Sequence, residues 1–217
     1  MKRIFTLALA GLMIFALAAC GETESVSTPT PAAAPDAAPA ETPAGTEAAT
    51  STETPAPDGD GGVLVAYFSW SGNTEALANM IQAETGGELF EITPAEPYTG
   101  DYDELLDIAR DEQSENARPS LASAVENWDG CDTVFVGYPD WWGDAPMLIY
   151  SFLESYDWTG KTLVPFCTSG GSGFGRSLSK LPDSAPGADI LDGLHIRSGA
   201  VEGSESEVAE WIASLGI

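Results

Sequence analysis

Two hydrophobic rhythms alternate along the second two-thirds of this chain. Val63 to Phe68, Thr133 to Tyr138 and Thr162 to Cys167 are short, nearly continuous apolar runs, the pattern of strands covered on both faces. Leu89 to Thr93 is a further strand candidate, and Ile190 to Ile196 is a less clear one. Between them apolar residues recur at helical spacing: Thr74 to Glu84, with Leu77, Met80 and Ile81 on one face; Asp103 to Asn116; and Pro146 to Ser155. A last helix is marked by the stripe Val208, Trp211, Ile212 and Leu215. Ser204 and Glu207 ahead of that stripe have the spacing of a capping box. Strands alternating with helices predict an α/β domain, a parallel sheet with helices on both sides.

The first 62 residues follow neither rhythm. Lys2 and Arg3 precede an apolar run from Ile4 to Ala19, shorter than the roughly 20 residues a spanning helix needs. A basic start, an apolar middle and small residues before a cut describe an export signal over residues 1–19. Its end, Leu17-Ala18-Ala19-Cys20, resembles the lipobox of bacterial lipoproteins, which implies cleavage before Cys20 and lipid attachment to it. The alternative is a plain secretory signal in which Cys20 has no role. Residues 20–62 then consist almost wholly of Ala, Pro, Thr, Glu and Ser, with no aromatic residue. Such a segment buries too little apolar surface to offset its chain entropy and is expected to be an extended tether. The remaining 155 residues, 63–217, are enough for one domain with a sizeable core.

Charge narrows the list of partners. Without the signal the chain carries six Lys plus Arg against 34 Asp plus Glu, a formal charge of −28. That surface argues against nucleic acid and against direct binding to an anionic membrane, which leaves the lipid as the link to the membrane. A basic protein partner suits it; so does simple solubility of an exported acidic protein.

In parallel α/β sheets ligands sit beyond the C-terminal ends of the strands. Three loops there carry chemistry. Ser69-Trp70-Ser71-Gly72-Asn73-Thr74 follows the first strand and opens a helix, so small hydroxyl and amide groups gather where backbone N–H groups point at an anion. Lacking Lys and Arg, this cradle suits a singly attached, retained phosphate rather than a nucleoside triphosphate with its metal. The bland alternative is a tight strand-to-helix turn with Thr74 as a cap. Pro139-Asp140-Trp141-Trp142-Gly143-Asp144 follows the third strand; two adjacent indoles in an extended loop cannot both point into the core. Thr168-Ser169-Gly170-Gly171-Ser172-Gly173-Phe174-Gly175 follows the fourth, where bare backbone can approach a planar group or simply flex. A flat aromatic ligand with a phosphate tail fits such a space.

These three loops, in this order, resemble those of the flavodoxin family, especially its small members with a Trp-Trp-Gly and a Gly-Gly loop. The likeness runs from about Val63 to the C-terminus. It implies a flavodoxin-like, doubly wound, five-stranded parallel sheet in the order 2-1-3-4-5, and FMN as the cofactor. The FMN phosphate is then expected on Ser69, Ser71, Gly72, Asn73 and Thr74, with Trp70 beside it. Pro139, Asp140, Trp141, Trp142 and Gly143 are expected along one side of the flavin ring, and Thr168, Ser169, Gly170, Gly171 and Phe174 along the other. Many flavodoxins cover the outer flavin face with a Tyr from the fourth-strand loop; this loop offers only Phe174.

No Ser-His-Asp or Cys-His nucleophile system is visible, and the single histidine, His195, lies in the weakest strand candidate. The acids show no metal-ligand spacing. Cys131 precedes the third strand and Cys167 closes the fourth. Parallel neighbours place them roughly 15–20 Å apart, beyond the roughly 7 Å of a disulfide, so both are expected to be free thiols. Three functions fit the resemblance: an electron carrier tethered outside the cytoplasmic membrane that serves a basic or membrane-bound redox partner, an FMN-dependent reductase of quinones or similar small acceptors, and a non-enzymatic flavin-binding module.

Overall fold

The computed structural model describes residues 61–217. The export signal, Cys20 and the tether up to residue 60 lie outside the described residues.

The sheet is built on the continuous apolar runs. Strands β1 (Gly62–Tyr67), β2 (Glu88–Glu91), β3 (Cys131–Pro139) and β4 (Thr162–Ser169) are joined by helices α1 (Asn73–Thr85), α2 (Tyr102–Glu115) and α3 (Met147–Glu154). After β4 come α4 (Ser177–Ser184), β5 (Asp189–Ile190), β6 (Leu194–Arg197) and α5 (Glu205–Leu215). Every pairing among these six strands is parallel and the order is β2-β1-β3-β4-β5, with β6 also on β4. This is the 2-1-3-4-5 order of a flavodoxin-like sheet.

The fifth strand departs from the continuous run read at Ile190 to Ile196. It is split: β5 pairs with Thr162 and Leu163, β6 with Phe166 to Ser169. The break faces Pro165. Leu163 accepts a hydrogen bond from the Leu191 N–H, 3.0 Å, so strand alternation turns the Pro165 backbone to the same edge, where it has no N–H to give. Gly193 fills the gap because a Cβ there would lie 2.7 Å from the Pro165 carbonyl oxygen.

Alternation along the central strands divides the core in two. Leu64, Ala66, Val134 and Val136 face one side with Leu148, Phe152 and Leu153 of α3. Val65, Phe135, Val164 and Phe166 face the other with Leu77 and Ile81 of α1 and Val208 of α5. Gly137 leaves room for the Phe166 ring, 2.1 Å from where its Cβ would stand.

One further expectation fails locally, and one helix has no counterpart among the expected elements. Ser204 does not cap α5; its hydroxyl donates to the Val201 carbonyl, 2.8 Å, and closes the preceding turn instead. Helix α4 carries Pro182 inside an eight-residue span, so neither its length nor its composition announces a helix. Cys131 and Cys167 are both free and buried. Cys167 lies opposite Tyr138, at the far end of β3 from Cys131.

Candidate functional site

Three loops leave the C-terminal ends of β1, β3 and β4 and meet α2 around a cleft of about 470 Å³, within the roughly 300–1,000 Å³ usual for small-molecule sites.

The first loop ends on Gly72 at φ +85, and no side chain caps α1. The first-turn N–H groups therefore face the loop without a side-chain cap, with Glu75 the one acid in that turn. The Ser69 hydroxyl accepts from the Gly72 N–H, 3.1 Å, and the Asn73 side-chain amide donates to Ser71 Oγ, 2.9 Å. Thr74 is buried, its Oγ1 2.8 Å from Thr168 Oγ1 on β4. That pair holds two hydroxyl protons and consumes one between its oxygens, leaving the other for an anion. Trp70 and Ser71 line the cleft; the Trp70 indole N–H is tied to the Thr99 carbonyl, 2.9 Å.

The second loop separates its two indoles. Trp141 packs edge-on against Phe68 and Tyr98, each with ring centroids at 5.3 Å. Trp142 takes a left-handed backbone, φ +55, and stays 47 % exposed. Its N–H donates to the Leu106 carbonyl of α2, 3.0 Å, while the Arg110 guanidinium lies 4.5 Å over its ring. Pro139, Asp140, Trp141 and Trp142 all line the cleft.

The third loop contributes Thr168, Ser169 and Gly170 to the wall. Of the residues expected at the site, Gly171, Gly143 and Phe174 do not line it, nor do Ser69, Gly72, Asn73 and Thr74 of the first loop. Phe174 turns inward, toward Tyr138 and His195, with ring centroids at 6.2 and 6.5 Å. The second and third loops are clamped together: the Arg176 N–H donates to the Gly143 carbonyl, 2.8 Å, and the Ser172 hydroxyl to Asp140 Oδ2, 2.6 Å. Asp140 Oδ1 is buried with no partner.

Asp144 is the anchor beneath this clamp. Fully buried, it accepts from the Tyr150 hydroxyl, 2.6 Å, and from the Ala145 N–H, 3.0 Å. Lys180 and, at 3.5 Å, Arg176 supply the opposing charge. Its negative charge is thus balanced on the spot. Burial, together with that carboxylate, holds the Tyr150 hydroxyl protonated far above the usual phenol range, and burial does the same for the Cys167 thiol.

The sequence model of the family described as Flavodoxin matches residues 62–215. The chain belongs to the flavodoxin family. No curated protein matches it. Among solved structures it is similar to a protein classed as a flavoprotein from Bacteroides eggerthii DSM 20697. The two share 35 % identity and a TM-score of 0.65, over 73 % of this chain and 99 % of that one. A second such protein, from Bacteroides uniformis ATCC 8492, shares 34 % identity at a TM-score of 0.64, over 70 % of this chain and 98 % of that one. A flavoprotein from Lactobacillus acidophilus NCFM, solved in complex with FMN, is 26 % identical at a TM-score of 0.56, over 70 % of this chain and 99 % of that one.

Part of this flavodoxin cleft was absent from the sequence reading. Helix α2 supplies a fourth wall through Tyr102, Leu105, Leu106 and Ala109, and Ser198 closes the end beyond β6. The sequence leaves open whether Pro94 to Pro119 is a regular helix or partly a cover on the flavin side; the helix is regular over Tyr102–Glu115 and one face of it lines the cleft. Ser198 becomes visible only once the last strand is placed as β6. Among the described residues no group of His, Cys, Asp and Glu could hold a metal ion.

Proposed function

We propose that this chain is an FMN-binding electron-transfer protein held on the outer side of the cytoplasmic membrane by lipid on Cys20. The observation that carries the FMN reading is the cleft itself. Trp70 and Ser71 bring to it the loop that opens α1, whose N-terminus has no side-chain cap and whose Ser69, Gly72, Asn73 and Thr74 come without a Lys or Arg, which suits a monoester phosphate. Next to it lie a slot walled by indoles and the bare backbone of Gly170, which suits a flat ring. Trp142, the exposed member of the indole pair, is assigned to the ring; Trp141 is fixed in the cluster of Phe68 and Tyr98. The FMN complex of the Lactobacillus acidophilus relative supports the same reading.

Bound FMN supplies the redox chemistry, and the protein supplies placement and electrostatics. The acidic surface and the Asp140 carboxylate oppose added negative charge on the ring. The expected midpoint potential of the fully reduced couple therefore lies below that of free FMN, and a potential at or above it contradicts this electrostatic argument. With a formal charge of −28 outside the signal, a basic or membrane-bound redox protein is the proposed partner. The membrane is reached through the lipid alone, and nucleic acid has no place in the function.

One observation favours a second reading. Phe174 is turned inward, so no aromatic residue of the fourth-strand loop lines the cleft. An FMN-dependent reductase of quinones or similar acceptors would use that open side. A reductive titration separates the two: two resolved one-electron waves support the carrier, and a single two-electron wave with turnover of a quinone supports the reductase. Cell fractionation of the Cys20→Ser variant tests the anchor, with release from the membrane fraction expected; an unchanged distribution contradicts it.

A further inference from the structure

The Gly-rich loop of the cleft hangs on one hydroxyl. Ser169 Oγ accepts the N–H groups of Gly171 and Gly173, each at 3.1 Å. A serine hydroxyl has two lone pairs and one proton. Both lone pairs are taken by these amides, so the third neighbour, His195 Nε2 at 2.7 Å, must accept the proton. The imidazole is therefore neutral, with its own proton on Nδ1. The arrangement joins the end of β4 to β6, and Ser169 is itself buried and lines the cleft.

Protonation of the imidazole puts a proton on Nε2 and points a third donor at an oxygen whose lone pairs are filled. One glycine amide must then let go, or the imidazole must swing away. The loop depends on this link because its backbone is unusual: Gly171 sits at φ +140 and Gly173 at φ +66. The other groups near the imidazole do not substitute for it. Cys167, its register partner on β4, keeps its proton because burial raises its pKa. Arg197, two residues along β6, has its guanidinium against Gly171, and Asp140, across the loop, gives Oδ2 to Ser172 while its buried Oδ1 has no partner.

We infer that His195 is a positioning residue that keeps the Ser169 to Gly173 loop in its cofactor-ready shape only while its imidazole is neutral. FMN retention thereby becomes coupled to the protonation state of His195. The consequence for FMN rests on the function proposed above; the coupling of His195 to the loop does not.

Two measurements on the purified protein test this. By NMR without cofactor, His195 should be the Nδ1–H tautomer at pH 8, and the Gly171 and Gly173 amide resonances should move with its protonation. That coupling should vanish in Ser169→Ala. By fluorescence titration, the FMN Kd should rise toward acid in the wild type. Part of the rise belongs to the phosphate, which itself changes charge near pH 6, and this part is common to every variant. The His195→Gln side chain can accept the Ser169 proton at all pH values. The wild-type Kd divided by that of His195→Gln should therefore increase roughly tenfold from pH 8 to pH 5, the effect of about one hydrogen bond. His195→Phe, with no acceptor, should bind weakly across the range. An Nε2–H tautomer, glycine amides that ignore the imidazole, or a ratio independent of pH overturns the inference. Failure to bind FMN at any pH overturns the cofactor assignment and leaves the NMR result to decide the coupling.

Discussion

Replacing Gly175 by alanine should pry apart the two loops that frame the flavin cleft. Gly175 sits at φ +54, and a Cβ there would lie 2.2 Å from the Gly143 carbonyl oxygen and 2.8 Å from Asp140 Oδ1. The left-handed backbone alone costs an alanine roughly 1–2 kcal/mol. The nearer contact is with backbone, so rotating a side chain gives no relief. The loops must separate, and the bond from the Arg176 N–H to the Gly143 carbonyl is lost, about 1 kcal/mol more. The total is about 2–3 kcal/mol. Gly143→Ala is the matched control: it shares the positive φ, +72, but its Cβ would have nothing within 4 Å, so only the backbone cost of roughly 1–2 kcal/mol applies. Urea unfolding of the two variants reads the difference directly, with Gly175→Ala about 1 kcal/mol the worse. Its FMN affinity should also fall about tenfold while Gly143→Ala changes less. Equal destabilisation of the two variants would refute the clamp between the loops.

Other outcomes follow from buried polar groups. Asp144→Asn removes the charge that balances Lys180 and Arg176 but leaves both cations access to water, since their side chains are 45 % and 63 % exposed. The expected loss is about 2–3 kcal/mol, below the usual range for a buried pair stripped of one partner, and chemical denaturation measures it; a loss under roughly 0.5 kcal/mol contradicts the anchor role. Glu112 has its pKa raised, chiefly by burial, although the Tyr98 hydroxyl hydrogen-bonded to it pulls the other way. A raised carboxylate favours the fold below its unfolded pKa, and that contribution is lost as pH rises through and above the ordinary carboxylate range. Glu112→Gln should therefore gain stability relative to wild type as pH climbs from about 4 to 7. Thermal melts across that range check it, and a constant difference refutes the assignment.

What could be read from the sequence was what local chemistry dictates. The runs at β1, β3 and β4 are apolar on both faces because helices cover both, so they stand out as strands. The three loops stand out because each concentrates hydroxyl, amide, indole or glycine residues at the C-terminal end of a strand. The features that escaped depend on partners far along the chain. The split of the last strand is set by Pro165 on the neighbouring strand, not by Ile190 to Ile196 themselves. Ser204 turned its hydroxyl to Val201, a choice its spacing to Glu207 does not reveal. The roles of Trp141 and Trp142 were separated by the left-handed backbone at Trp142 and by Phe68 and Tyr98 at Trp141. The wall formed by α2 shows only once the cleft beside it is seen. His195 stands in the sequence only as a lone histidine in the weakest strand candidate, and its contact with Ser169 is what connects it to the site.

The most direct test of the central claim is an absorbance spectrum of the purified protein, before and after addition of FMN and removal of the excess. Retained flavin bands at close to one FMN per chain, weakened by Thr74→Val and by Gly175→Ala, are the predicted result. A colourless protein that takes up no FMN, while its unfolding shows it to be fully folded, would contradict the account.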